Sequence, residues 1–174
     1  MKNVTFLTES AKKFTKKDAI AEAKRCLLCE YAYCNKRCPI NSNPKEFVKL
    51  VATEQFEKAI KLIRDNNPLF YSICTRVCPY DSYCVGGCRK SALGDNPIMI
   101  PFIQKYLVDY CDASDEVITS DHIQPKKVGQ KVAIIGSGPA GLAAAAVLGQ
   151  KGYEVTVFEA KKEVGGWLSY GIPP

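Results

Sequence analysis

Residues 26–39 read CLLCEYAYCNKRCP, and residues 74–88 read CTRVCPYDSYCVGGC. The first stretch holds Cys26, Cys29, Cys34 and Cys38 in the spacing C-x2-C-x4-C-x3-C, with Pro39 directly after the last thiol. The second holds Cys74, Cys78, Cys84 and Cys88, with Pro79 after Cys78. Eight of the nine cysteines thus fall in two short runs. Thiolates this closely spaced can wrap the corners of an iron–sulfur cluster, and in a run ending Cys-Pro the last thiol serves a different cluster. By that logic Cys38 belongs to a different cluster from Cys26, Cys29 and Cys34. Two structural zinc sites are the alternative, but zinc knuckles pair two C-x2-C units and only one is present. Disulfides need an oxidising compartment. The opening MKNVTFLTESAKKFTKK lacks the apolar core of a secretory signal, so a cytoplasmic protein is expected. Cys111 lies outside both runs and reads as a small core hydrophobe.

The 174 residues are 47% hydrophobic and 24% charged, a composition that suits a globular protein and excludes disorder. The net charge of +6 comes from scattered lysines and arginines with no aromatic-interleaved basic stripe, so no nucleic-acid partner is expected. His122 is the single histidine, which excludes most histidine-dependent catalysis. The longest uncharged run, residues 132–149, has GSGPAG near its start and reads as strand, turn and helix rather than a membrane span.

Around the cysteines the pattern is helical. Residues 18–28 open on Asp18, read as an N-cap. Residues 44–53 open on Pro44 and place Phe47, Leu50 and Val51 on one face, and residues 54–64 repeat the pattern with Phe56, Ile60 and Ile63. A further helix is expected over residues 102–110. Residues 1–112 therefore read as an all-α domain and residues 113–129 as a polar linker. From Lys131 the texture changes to KVAIIG, an Ala-rich helix and YEVTVFEA, an α/β Rossmann-like βαβ fragment over residues 130–174. Its turn carries Gly136, Gly138 and Gly141 in G-x-G-x-x-G spacing, with Pro139 and Ala140 inside it. The glycines allow a tight turn, a close approach to a pyrophosphate and close helix packing. Glu159, 18 residues past Gly141, is placed to accept hydrogen bonds from ribose hydroxyls.

Taken together, RCLLCEYAYCNKRCP, NNPLFYSICTRVCPYDSYCVGGC, KVAIIGSGPAGLAAA and GGWLSYGIP resemble the flavin and iron–sulfur module of dihydropyrimidine dehydrogenase. They are also similar to the small subunit of glutamate synthase. The resemblance runs from about residue 18 to residue 174. It implies an α-helical ferredoxin domain with two [4Fe-4S] clusters, one held by Cys26, Cys29, Cys34 and Cys88, the other by Cys38, Cys78, Cys84 and Gln104. Cys74 is then left without a cluster. Gln104 stands 16 residues after Cys88, where the dihydropyrimidine branch places an amide ligand, and Gly165 to Leu168 (GGWL, with Gly166 in the flavin site) favours the same branch. The implied function is electron transfer from NAD(P)H through FAD and two clusters to a redox partner subunit or domain carrying FMN and iron–sulfur centres. Family members continue well past the position of Pro174, through the rest of the FAD domain and a nicotinamide domain. The chain is therefore expected to be C-terminally truncated, with weak or absent FAD binding and no catalysis alone. A stand-alone ferredoxin-like carrier or scaffold without flavin is the second reading, and a zinc-stabilised interaction module the third.

Overall fold

The computed structural model describes residues 13–67, 71–113 and 126–171. The chain divides into two compact units, Met1–Ile118 and Thr119–Pro174. His122, Pro174 and most of the expected linker lie outside the described residues.

The first unit is helical. Helix α1 (Lys16–Lys24) begins at Thr15 rather than Asp18. The Thr15 hydroxyl accepts from Asp18 N at 3.2 Å, and the Asp18 carboxylate accepts from Thr15 N at 3.0 Å. Asp18 is thus the third helical residue of a capping box, not its cap. The helix ends before Cys26, whereas the sequence pattern runs on to Leu28. Two four-residue helices carry cysteines: α2 (Tyr33–Lys36) and, later, α5 (Cys74–Val77). Between them lie α3 (Pro44–Ala52) and α4 (Phe56–Asn66), close to the expected boundaries. Asn43 caps α3 in the left-handed region (φ 53°), and Pro44 occupies the first turn, where its missing N–H costs nothing. A 3-10 turn (Tyr80–Ser82) and α6 (Arg89–Ala92) follow. The expected helix over 102–110 is longer in the structure, α7 (Ile100–Ala113).

The core lies where α3 packs on α1 and α4, with α7 against all three. Phe47, Val48, Val51, Ala59, Ile60, Ile63, Ile103 and Leu107 are buried there. Cys111 is buried in the same cluster, as its apolar reading requires. A polar clasp ties α1 to the segment entering α7. Glu22 accepts both from the Arg25 guanidinium and, at 2.9 Å, from Met99 N. Arg25 also donates to Asn96 O at 2.7 Å and pairs with Asp95, which pairs with Lys90.

The second unit is a βαβ motif. Strands β1 (Lys131–Ile135) and β2 (Glu154–Phe158) run parallel in the register Lys131↔Glu154 to Ile135↔Phe158, joined by helix α8 (Pro139–Gln150). A short helix, α9 (Trp167–Gly171), follows. Among the described residues of this unit only Ser137 and Gly165 are buried, and Ile135, Phe158 and Trp167 are exposed.

Phe47 is the largest fully buried side chain among the described residues and belongs to the helical core. Phe47→Ala is expected to destabilise that unit by about 3–5 kcal/mol, measured by denaturant unfolding against the parent chain.

Candidate metal centre

The two cysteine runs do not form one site each. Cys26, Cys29, Cys34 and Cys88 line one cavity, with Tyr33, Lys45, Val48, Arg89, Lys90 and Ile98. Cys38, Cys74, Cys78 and Cys84 line a second, with Ile40, Ser42, Tyr80, Tyr83, Pro101 and Gln104. Pro44 and Ile100 line both. Each run therefore gives its last cysteine, Cys38 or Cys88, to the cavity of the other run. Cys74, which the interleaved scheme sets aside, opens on the second cavity together with the residues expected to ligate there.

Local backbone features produce this exchange. Asn41 (φ 52°) and Asn43 (φ 53°) turn the chain sharply after Cys38 and aim it into α3. In the second run Gly86 lets the chain double back between Cys84 and Cys88: a Cβ there would lie 1.9 Å from Asp81 O. Arg37 donates to Gly86 O at 3.3 Å and braces the first run against the second.

Burial pushes the thiols up, Cys34 and Cys74 to about 11 and Cys84 to about 12, with Cys26 and Cys78 raised for the same reason. These groups are neutral thiols at neutral pH, so metal loading releases protons. Several sulfurs already receive hydrogen bonds. Ile98 N donates to Cys88 Sγ at 3.5 Å, Ser42 N donates to Cys38 Sγ at 3.4 Å, and the Ser42 hydroxyl lies 3.1 Å from the same sulfur. Asn67 Nδ2 donates to Cys74 Sγ at 3.4 Å. Gln104 is buried, and its Nε2 donates to Tyr71 O at 2.9 Å.

No three His, Cys, Asp or Glu side chains among the described residues converge closely enough to hold a single ion. Tetrahedral zinc would need its sulfurs about 3.8 Å apart, from Zn–S bonds of about 2.3 Å. Four thiols spaced around a cavity instead fit a body with several metal corners. Of the cations near the runs, Arg89 lines the first cavity, joined by Lys45 and Lys90, which the sequence does not single out. Lys36 sits over the Tyr31 ring and Arg76 donates to Ser72 O, so these two brace local structure. No lysine or arginine is among the residues lining the second cavity.

In the βαβ unit, Gly136 has φ 95°, and a Cβ on Gly141 would lie 2.0 Å from Gly136 O. A Cβ at Gly138 would meet nothing within 4 Å, which leaves this first-turn backbone open to a ligand. Pro139 and Ala140 begin α8, and Gly166 (φ 54°) packs against Gly138. The Glu159 carboxylate accepts from Ser137 N at 2.9 Å, from the Ser137 hydroxyl and from Lys161 N at 2.9 Å. These bonds, that of the hydroxyl foremost, hold its pKa down at about 2. It is the fixed anion at the end of β2, already tied to the turn. No helix among the described residues is long and apolar enough to cross a membrane.

Residues 2–116 match the family described as dihydropyrimidine dehydrogenase domain II, 4Fe-4S cluster. The chain belongs to that family. Residues 134–171 match the NAD(P)-binding Rossmann-like domain family. Over 99% of its length the chain is 40% identical to the NAD-dependent dihydropyrimidine dehydrogenase subunit PreT of Salmonella typhimurium, covering 41% of that protein. The PreT subunit of Escherichia coli gives the same identity and coverage. The glutamate synthase [NADPH] small chain of Azospirillum brasilense is 35% identical over 92% of the chain, which covers 33% of it. The chain thus spans about two fifths of the length of the dihydropyrimidine dehydrogenase subunits it matches.

Gly86 tests the backbone argument. Gly86→Ala forces the Asp81 carbonyl aside and displaces Cys84 and Cys88, one from each cavity. Anaerobic reconstitution with iron and sulfide is expected to load this variant at well under half the parent's iron, measured by colorimetric iron analysis.

Proposed function

We propose that this chain is the electron-transfer part of an NAD(P)H-dependent flavin and iron–sulfur oxidoreductase, passing electrons from FAD through two [4Fe-4S] clusters to a redox partner. The observation that carries this reading is the sorting of eight cysteines into two adjoining cavities, each drawing on both runs. A [4Fe-4S] cluster, when bound, takes up and gives back one electron at a time. Cys26, Cys29, Cys34 and Cys88 would hold the first. Cys38, Cys78, Cys84 and the Gln104 amide oxygen would hold the second. Charge supports that division. The first cavity sets four thiolates against Lys45 and Arg89, with Lys90 also on its wall but paired to Asp95, whereas the second has no cationic lining residue and takes a neutral amide in place of one thiolate.

The protein's own groups then tune each site. The hydrogen bonds from Ser42 to Cys38 Sγ and from Ile98 N to Cys88 Sγ withdraw charge from those sulfurs and favour the reduced state. The Tyr71 carbonyl holds the Gln104 NH2 group, which leaves the amide oxygen as the donor Gln104 would offer to the cavity it lines. In the βαβ unit, Gly136, Gly138 and Gly141, with Pro139 and Ala140, form the pyrophosphate end of a dinucleotide site, and Gly166 closes against it. FAD is the dinucleotide we assign here, with Glu159 at its ribose. The relatives' names point to NAD or NADPH as the electron source and to a subunit assembly as the acceptor. The higher identity to PreT, 40% against 35%, favours a dihydropyrimidine dehydrogenase assembly over a glutamate synthase one.

Two outcomes test this. Anaerobically reconstituted protein is expected to bind about eight iron and eight sulfide per chain, with broad visible absorbance bleached by dithionite. About four iron, or stoichiometric zinc in a colourless protein, would overturn the two-cluster reading. Because so little of the βαβ unit is buried, FAD is expected to bind this chain weakly and to be lost on gel filtration. Ser42→Ala, which removes one of the two bonds to Cys38, is expected to lower the potential of one cluster and leave the other unchanged, read by EPR-monitored redox titration.

A further inference from the structure

The second cavity contains one donor more than a cluster needs. Cys38, Cys78, Cys84 and Gln104 account for four corners, and Cys74 opens on the same space. Cys74 and Cys78 are the first residue and the C-cap of the short helix α5, four positions apart, so they share a face of that turn. The first cavity has no such surplus: its cysteines number four.

The amide and the spare thiol are also linked mechanically. The Gln104 NH2 group is held at 2.9 Å by the carbonyl of Tyr71, three residues before Cys74. The Cys74 sulfur is held at 3.4 Å by the Asn67 side-chain amide, which is also buried. One short segment therefore carries both the anchor that orients the amide and the thiol that competes with it. Moving that segment enough to free the amide also moves the thiol along the cavity wall.

We propose that Cys74 is a reserve ligand of the second cluster, taking over the Gln104 corner when the amide withdraws. In the exchange the iron–oxygen bond to the Gln104 amide breaks, an iron–sulfur bond to Cys74 forms, and the thiol proton passes to solvent. No electron is transferred and no iron is lost. The site gains one negative charge, so its potential falls. This inference rests on the two-cluster reading above, and the second cavity would then exist in an amide-ligated and a thiolate-ligated form of different potential.

The test uses the reconstituted full chain and four proteins: the parent, Gln104→Ala, Cys74→Ala and the double variant. Iron content and EPR-monitored potentials are read for each, with circular dichroism to confirm folding. Gln104→Leu, which keeps side-chain volume, replaces Gln104→Ala if alanine loosens α7. The expected result is that Gln104→Ala keeps the parent's iron with a lowered potential at one cluster, Cys74→Ala matches the parent in both, and the double variant loses about half its iron. If Gln104→Ala or Gln104→Leu alone loses iron from the second site as fully as the double variant, Cys74 is no reserve. If Cys74→Ala alone loses that iron, Cys74 is the resident ligand, and both the reserve role and the Gln104 assignment fail. If the parent itself binds no iron–sulfur cluster, the underlying function is wrong, a result distinct from the other two.

Discussion

Pro44 and Ile100 form the wall that separates the two cysteine-lined cavities, and the rest of the helical unit depends on that wall staying in place. Each is the first residue of a long helix, α3 or α7, and each is buried. Pro44 is fixed by its own ring and by the left-handed turn at Asn43. Ile100 is fixed by the Glu22–Arg25 clasp on the preceding residues 95–99. Behind them the α3–α7 core sets the separation of the helix starts, so apolar packing around Phe47 and Ile103 determines how far apart the thiol rings lie. A wall of two side chains keeps the rings separate without letting them drift apart.

Much of this was legible in the sequence because the decisive residues are chemically loud. Eight clustered thiols, one C-x2-C and two Cys-Pro pairs by themselves point to iron–sulfur chemistry and to an exchange of Cys38. The long helices follow from the spacing of Phe47, Leu50, Val51, Phe56, Ile60 and Ile63. The start of α1 did not, because Thr15 and Asp18 are both good caps and only their reciprocal bonding decides between them. Ser42 and Lys45 were also hidden. A serine or lysine in a loop has no pattern of its own and gains a role only when the fold brings a sulfur beside it. Arg37 gains its role in the same way, where the fold brings the Gly86 carbonyl of the other run within its reach. Cys74 was visible by spacing, and the resemblance set it aside. Only the cavity shows that it shares a wall with the residues around Gln104.

The βαβ unit shows the limits of a motif. Its turn has the dihedral at Gly136 and the close approach at Gly141 that a pyrophosphate site requires. Yet a two-stranded sheet with one covering helix cannot bury its own apolar residues, and Ile135 is 85% and Trp167 76% exposed. Besides the pairing of its two strands, the turn is held by polar bonds, Ser137–Glu159 and Ser137–Gly165. The geometry of the glycine turn is therefore set by hydrogen bonds rather than by a core.

Because Cys38 and Cys88 change places between the runs, neither cavity closes from one run alone. Any cluster built there would tie residues 26–38 to residues 74–88 across the 35 residues that lie between them. Such a tie acts like a cross-link of many-residue span, removing disordered conformations as a disulfide does but with a bond that forms in reducing surroundings. Two of them, threaded through each other, would make each run's placement conditional on the other's. Inserting the inorganic groups would then be a late folding event for the helical unit as well as the acquisition of redox centres.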